Sequence, residues 1–119
     1  HTGDRLPIVL PEATLKEVVV EISNKGLGFV AVTDEKNRLQ GVITDGDLRR
    51  VLDADIDIRS LHAKDVMFES PKTIFVNNMA IDAVDIMEQY KITGLVVVND
   101  QKIVVGAFNM HDLFKAKLI

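Results

Sequence analysis

Cysteine is absent from the 119 residues, and so is tryptophan. Without cysteine there is no disulfide, no thiolate chemistry and no cysteine-based metal site. Aromatics amount to 5 %, five Phe and one Tyr, so a packed interior has to come from Val, Ile, Leu, Ala and Met. No apolar run approaches the roughly 20 residues of a membrane span, and no secretory signal is present. Positive charge is in the minority: 14 Lys and Arg against 18 Asp and Glu leave a net charge of −4. That argues against nucleic acid or an anionic membrane as the main partner. His1, His62 and His111 are the only histidines, no two within a helical turn, and their spacing supports no metal centre. No Ser/His/Asp or Cys/His arrangement is suggested either. The expectation is an intracellular, cytoplasmic protein without catalytic residues, bound metal or required cofactor.

What is present is an ordinary globular balance, 47 % hydrophobic and 27 % charged, at a length that suits one domain or two small halves sharing a core. The chain starts His-Thr-Gly without Met, so a fragment of something longer is expected. Leu6 to Leu10, broken by Pro7 and closed by Pro11, suits an edge strand. From Thr14 the period changes: Leu15, Val18, Val19 and Ile22 fall on one helical face. Thr14 and Glu17 have the spacing of a capping box. Asn24, Gly26 and Gly28 stop this helix. Gly26-x-Gly28 follows a helix and precedes a strand, the reverse of a dinucleotide-binding turn, and reads as a helix stop. Phe29 to Val32 is a strand, 34–37 a polar turn and Leu39 to Ile43 the returning strand. A helix follows to about Leu52, with Leu48, Val51 and Leu52 on its apolar face.

Residues 53–64 read as a polar, acidic linker. Asp53-Ala-Asp55-Ile-Asp57 opens like a calcium loop, but that loop needs Gly at its sixth position and Glu at its twelfth. Ile58 and Lys64 stand there, and a solvated helix end is the better reading. The earlier order then returns: a strand from Thr73 to Val76, a helix with Ile81, Val84 and Met87, a strand from Leu95 to Val98, a turn at 99–102, a strand from Ile103 to Phe108. Asn109 to Asp112 opens a last helix carrying Leu113. Leu15 and Ile81, Gly28 and Gly94, Phe29 and Leu95 are each 66 apart. Gly41 and Gly106, Asp47 and Asp112 are 65 apart, as if one residue had been lost from a hairpin turn, where length changes are tolerated. Met67, Met79, Met87 and Met110 read as core filler.

The chain is therefore expected to be α+β: two strand-helix-strand-strand-helix repeats, 1–58 (trimmed at its start) and 59–119, packed with pseudo-twofold symmetry. Each is too small to bury its sheet alone. Packed face to face, they place both strand-to-helix turns around a shared crevice. At the first turn, Gly41-Val-Ile-Thr44-Asp-Gly-Asp47-Leu48, two readings stand. Thr44 and Asp47 make a plain helix cap; or the exposed N–H groups of the helix start take a phosphate, with the Thr44 hydroxyl donating to it and Asp47 accepting from ribose.

Asp65-Val66-Met67, the hairpins after Gly28 and Gly94, and the two endings Gly41 to Leu48 and Gly106-Ala-Phe-Asn-Met-His-Asp-Leu113 resemble the CBS-domain pair, or Bateman module. The likeness covers nearly the whole chain, and the counterpart of Asp65-Val66-Met67 would end at position 1. In that family Thr/Ser-x-x-Asp at the last helix holds the phosphate and ribose of a nucleotide. The resemblance implies this role for Thr44 and Asp47, and for Asp112 with Asn109 in place of Thr. It implies that Lys72, Thr73, Lys91 and Thr93 flank the crevice. It also implies a homodimer through the helices. Lys25-Gly-Leu-Gly28, Thr44 to Arg50 and His111-Asp-Leu113 are similar, more narrowly, to the C-terminal CBS pair of bacterial D-arabinose 5-phosphate isomerases. Those enzymes feed synthesis of the lipopolysaccharide sugar Kdo and carry an N-terminal sugar-isomerase domain, absent here. The expected function is a regulatory module binding a nucleotide or nucleotide-sugar, with CMP-Kdo as candidate feedback ligand. Arg49, Arg50, Lys72, Lys91 and His111 are the cations available for its carboxylate. The alternatives are a ligand-free assembly module and an adenine-nucleotide sensor.

Overall fold

The computed structural model describes residues 6–54, 56–69, 71–75, 80–90 and 94–109. The elements are β1 (Ile8–Val9), α1 (Leu15–Lys25), β2 (Phe29–Thr33), β3 (Leu39–Thr44), α2 (Asp45–Asp53), α3 (Ala63–Val66), β4 (Thr73–Phe75), α4 (Ala80–Tyr90), β5 (Gly94–Val98) and β6 (Val104–Asn109). They form two three-stranded sheets, β1-β2-β3 and β4-β5-β6. In each, the first strand runs parallel to the second and the second antiparallel to the third. Both halves thus share the strand-helix-strand-strand part of the order expected from the repeat, and the first also shows its closing helix. The last helix expected after Asn109, and Val76 at the end of the expected strand, lie outside the described residues.

The strand pairs of the two halves are 65 residues apart throughout. Ile8 pairs with Ala31 as Thr73 pairs with Val96, and Phe29 with Thr44 as Gly94 with Asn109. The bounds of α1 and α4 keep the same spacing. The expected offset of 66 and the residue lost from a turn are therefore incorrect. The error came from equating Gly28 with Gly94: Gly28 precedes β2, whereas Gly94 is the first residue of β5.

Alternation along the strands builds the layers. Val30, Val32 and Ile43 turn towards α1 and α2, where they pack with Leu15, Val18, Ile22 and Leu48. Phe29, Ala31 and Val42 turn the other way and meet Val96, Val98, Val104 and Ala107 of the second sheet. Leu95 and Val97 pack on Val84 and Met87 of α4. The order is helices, sheet, sheet, helix, and every residue of β2 is buried because both of its faces are covered. Each hairpin carries a bulge at the same place. Gln40 is the extra residue between the Thr33–Leu39 and Val32–Gly41 pairs, and Val105 between Val98–Val104 and Val97–Gly106. The bulge returns both Leu39 and Val42 to the inter-sheet core.

The two hairpin ends are tied by a matched pair of backbone hydrogen bonds. Leu39 N–H donates to Lys102 C=O and Val104 N–H donates to Asn37 C=O, both at 2.9 Å. The four residues are related by the same shift of 65, so the pseudo-twofold axis passes between Arg38 and Ile103, which form an antiparallel bridge. Asn37 and Lys102 both take the left-handed conformation, at φ 63° and 64°. Side chains set these turns: Asp34 Oδ1 accepts from Lys36 N and Arg38 N, and Asn99 Oδ1 from Gln101 N and Ile103 N. The Arg38 backbone N–H, with its guanidinium and the Lys36 N–H, holds the Asp34 carboxyl below its usual range.

α1 begins on a capping box as expected: Glu17 N donates to Thr14 Oγ1 and Thr14 N to the Glu17 carboxylate. It ends at Gly26, φ +71°, whose N–H reaches Ile22 C=O. Its buried stripe is Leu15, Val18 and Ile22. Val19, expected on the same face, is 46 % exposed. It sits about 100° round the helix from Val18 and clears the narrow sheet. Leu52 of α2 is likewise 62 % exposed, while Val51 packs against the core.

The expected linker is partly folded. Asp57 caps a 3-10 turn, Ile58–Ser60, and α3 follows. Ala63 is fully buried in the first-half core. Ala63 N–H donates to Ala13 C=O and Lys64 N–H to Pro11 C=O. Five apolar residues scattered among charges in 53–64 show no helical period, which is why the pattern hid them. Beyond α3, Phe68 adds to the edge of β3, exchanging both backbone hydrogen bonds with Val42. Gly41 permits this approach, since a Cβ there would lie 2.7 Å from Phe68 O.

Gly94 is the other close contact. A Cβ there would stand 2.4 Å from Cε1 of Phe29. Gly94→Ala is expected to cost about 1–3 kcal/mol through overpacking, read by chemical denaturation, and Phe29→Leu in the same chain should restore most of it. No recovery in the double variant would show that the ring contact is not the cause.

Candidate functional site

The strand-to-helix turn is built as the spacing foretold. Thr44 is the last residue of β3 and the N-cap of α2, with φ −101° and ψ 166°. Asp47 N–H donates to Thr44 Oγ1 at 3.1 Å, and Thr44 N–H donates to Asp47 Oδ2 at 2.9 Å. The other carboxylate oxygen of Asp47 is ion-paired with the Arg50 guanidinium one turn on. Asp45 N–H donates to Gly28 C=O at 3.1 Å, fastening the helix start to the residue that leads into β2. Buried Leu48 anchors the first turn in the core. Gly46, at the second helical position, has an N–H with no intrahelical acceptor.

This helix start opens on a cavity of about 530 Å³ between the two halves. Leu27, Phe29, Val42, Phe68, Pro71 and Val96 supply its apolar walls, with Gly28 and Gly94 between them. Thr44, Asp45, Gly46, Asp47 and Lys72 supply its polar groups. Lys72 comes from the irregular segment just before β4, in the second half. Its ammonium lies 4.2 Å from the centroid of the Tyr90 ring, a cation–π contact. Thr44 Oγ1 accepts from Asp47, so its own proton is free for another acceptor. Together with the partial positive charge of the helix start and the Lys72 ammonium, this is a set of donors suited to an anion. The apolar walls suit a planar ring. Asp45 and Asp47 bring opposing charge, and Arg50 offsets that of Asp47.

Of the residues singled out from the sequence, Thr44, Asp47 and Lys72 meet at this cavity. Thr73 is the first residue of β4 and is not on the lining. Arg49 is exposed and also off the lining, and Arg50 acts on Asp47 from outside it. Asn109, the last residue of β6, pairs with Gly94 across the second sheet. Lys91, Thr93, His111 and Asp112 lie outside the described residues. The apolar walls were missed, because nothing distinguishes a wall residue from a core residue in a pattern of burial. Gly28 and Gly94, which the sequence marks as a helix stop and as repeat and hairpin markers, both line the cavity.

The CBS domain family matches residues 3–54 and 63–119. This chain belongs to the CBS domain family. Its two halves are the two copies, and the resemblance seen in the sequence holds. Among curated proteins it is 46 % identical to arabinose 5-phosphate isomerase KdsD of Pseudomonas aeruginosa over 98 % of its length. It is 36 % identical to the Escherichia coli K12 protein of that name over its full length. The chain spans about 36 % of the length of these relatives. A solved CBS domain structure superimposes with a TM-score of 0.84 at 20 % identity, covering 98 % of this chain and 91 % of that one. A CBS domain protein from Pyrobaculum aerophilum, complexed with AMP, superimposes with a TM-score of 0.80 at 25 % identity, over 89 % of this chain and 81 % of that one.

Gly46 separates capping from occupancy. A Cβ there would come no nearer than 3.6 Å to any neighbouring atom. Gly46→Ala is therefore expected to hold or raise stability, by up to about 1 kcal/mol from reduced unfolded-chain entropy, read by thermal unfolding. A clear loss of stability would mean that the space beside Thr44 is not open.

Proposed function

We propose that this CBS pair is the regulatory module of an arabinose 5-phosphate isomerase and takes a nucleotide in the crevice at the start of α2. The observation that carries the reading is the meeting of Thr44, Gly46 and Asp47 with Lys72 of the other half around one apolar-walled cavity. The phosphate lies at the helix start, on the Thr44 hydroxyl and the Gly46 N–H. The ribose hydroxyls lie on Asp47, and the base lies among Leu27, Val42, Phe68 and Val96. Its parent carries an N-terminal sugar-isomerase domain and works in the cytoplasm, where sugar phosphates and nucleotides are made. Among the described residues no helix is long and apolar enough to cross a membrane.

The finer candidate is CMP-Kdo. Its support is the identity shared with arabinose 5-phosphate isomerases and the logic of an early enzyme answering to an activated end product. Lys72 is the described cation on the lining that suits its sugar carboxylate. The adenine alternative is supported by the AMP complex of the Pyrobaculum protein. A ligand-free role in assembly is favoured by one observation: Thr44 and Asp47 already satisfy each other.

The test is titration of the chain with CMP-Kdo, CMP and AMP side by side. CMP-Kdo is expected to bind tightest, and Gly46→Ala to weaken it at undiminished stability. AMP binding tenfold tighter than CMP-Kdo, a difference of about 1.4 kcal/mol, would replace the end-product reading with energy sensing. A bound ligand at a hundred times its dissociation constant stabilises by roughly 2.7 kcal/mol, so no thermal shift with any of the three would favour assembly alone.

The proposal includes a homodimer. Exposed Val19 and Leu52 flank an apolar groove of about 320 Å³ between α1 and α2, floored by Leu15, Leu48 and Ile58. Two-fold association over this face is the commonest symmetry for such a surface. Sedimentation at tens of micromolar should give twice the chain mass; a species of 13.2 kDa alone would refute it.

A further inference from the structure

Strand β1 is the outer strand of the first sheet, and an outer strand presents unpaired N–H and C=O groups along its free edge. Alternate residues turn these groups to opposite sides. On the inner side, Ala31 pairs with Ile8, and Ala31 N–H donates to Pro7 C=O. Leu6 C=O and Ile8 N–H therefore face outward. Both are filled, though among the described residues no strand lies there. Lys25 Nζ donates to Leu6 C=O at 3.3 Å, and Ile8 N–H donates to Glu21 Oε2 at 3.2 Å. The two side chains, a turn apart on α1, are themselves ion-paired at 2.8 Å.

A residue of a parallel neighbouring strand does the same thing with its peptide groups. It gives one N–H to the carbonyl before the residue it faces and takes one N–H from the residue after it. Lys25 and Glu21 reproduce that pattern around Pro7, donor to Leu6 and acceptor to Ile8. We propose that the Glu21–Lys25 pair is an edge guard: it stands in for one residue of a fourth strand and keeps β1 from pairing with β1 of a second copy of this chain. A second copy is the occupant to exclude because the edge is short, apolar and self-complementary about a two-fold axis, with Leu10 exposed beside it. The positions 65 further on are Ile86 and Tyr90, so the pair belongs to the first half alone. An ion pair one turn apart on a helix adds little stability by itself; its use here lies in what it covers.

The decisive variant is the swap, Glu21→Lys with Lys25→Glu. It keeps an ion pair on the same turn but sets a donor against Ile8 N–H and an acceptor against Leu6 C=O. Hydrogen exchange at the Ile8 amide should quicken about fivefold or more, the scale of one lost hydrogen bond. Sedimentation at equal concentration should show a species larger than the wild-type assembly. Wild-type exchange and wild-type size in the swap would overturn the proposal. Faster exchange with unchanged size would overturn it too, leaving the pair as a local tie. Two single variants guard against a misfolded swap. Glu21→Gln keeps an acceptor oxygen and should retain slow exchange at Ile8, whereas Glu21→Leu should lose it. Equal exchange in those two would also refute the guard.

Discussion

Two backbone hydrogen bonds, Leu39 to Lys102 and Val104 to Asn37, fix how the halves of this molecule face one another. Each is worth only about 0.5–1.5 kcal/mol net, less than the apolar surface buried between the sheets. Apolar contact is non-directional, however, and would accept many rotations of one sheet over the other. The paired bonds accept one. They can form because Asn37 and Lys102 hold the left-handed turn that aims their carbonyls at the other half. Asp34 and Asn99 fold those turns from within. The bulges at Gln40 and Val105 then return Leu39 and Val104 to the inter-sheet core. At the other end of the sheets Phe29 packs against Gly94, and both of these residues line the cavity before α2.

At that cavity one set of atoms serves two ends. Thr44 and Asp47 satisfy each other across the first turn of α2, which is sufficient reason for a helix to begin there. The arrangement still leaves the Thr44 hydroxyl proton and the Gly46 N–H for another acceptor, and it fixes the atoms that carry them in advance of any ligand. Preorganised donors lose little freedom on binding. The overall charge of −4 opposes an anion, so attraction has to be local. It comes from the helix start, from Lys72 and from the offsetting of Asp47 by Arg50.

Much of this was legible in the sequence. The doubled order of elements, the hairpins, the helix stop at Gly26 and both capping boxes follow from local chemistry that acts within a few residues. Thr44 and Asp47 were legible as well, because they sit on a helix start that the pattern marks; Lys72 came only from the resemblance, and Arg49 and Thr73 are off the lining. What failed was what depends on distance along the chain. Gly28 and Gly94 were matched as equals, although one enters a strand and the other begins it, and the repeat spacing was misjudged by one. Val19 and Leu52 were placed inside because periodicity cannot tell how wide a sheet will be. Ala63 and its neighbours looked like a linker because their burial depends on Ala13 and Pro11, some fifty residues earlier. Leu27, Val42, Phe68 and Val96 line the cavity for the same kind of reason.

Phe29 and Gly94 occupy equivalent positions in the two halves, and the ring of one fills the place where the other has no side chain. The symmetry is therefore broken at its own axis, and usefully so. Two first halves brought together in the same way would set ring against ring. Two second halves would leave a hole. Only the mixed arrangement fills the space, so the chain carries its own discrimination between its other half and a neighbour's identical half. For a protein made of two similar pieces at high local concentration, that mismatch favours closing on itself over exchanging halves with another molecule.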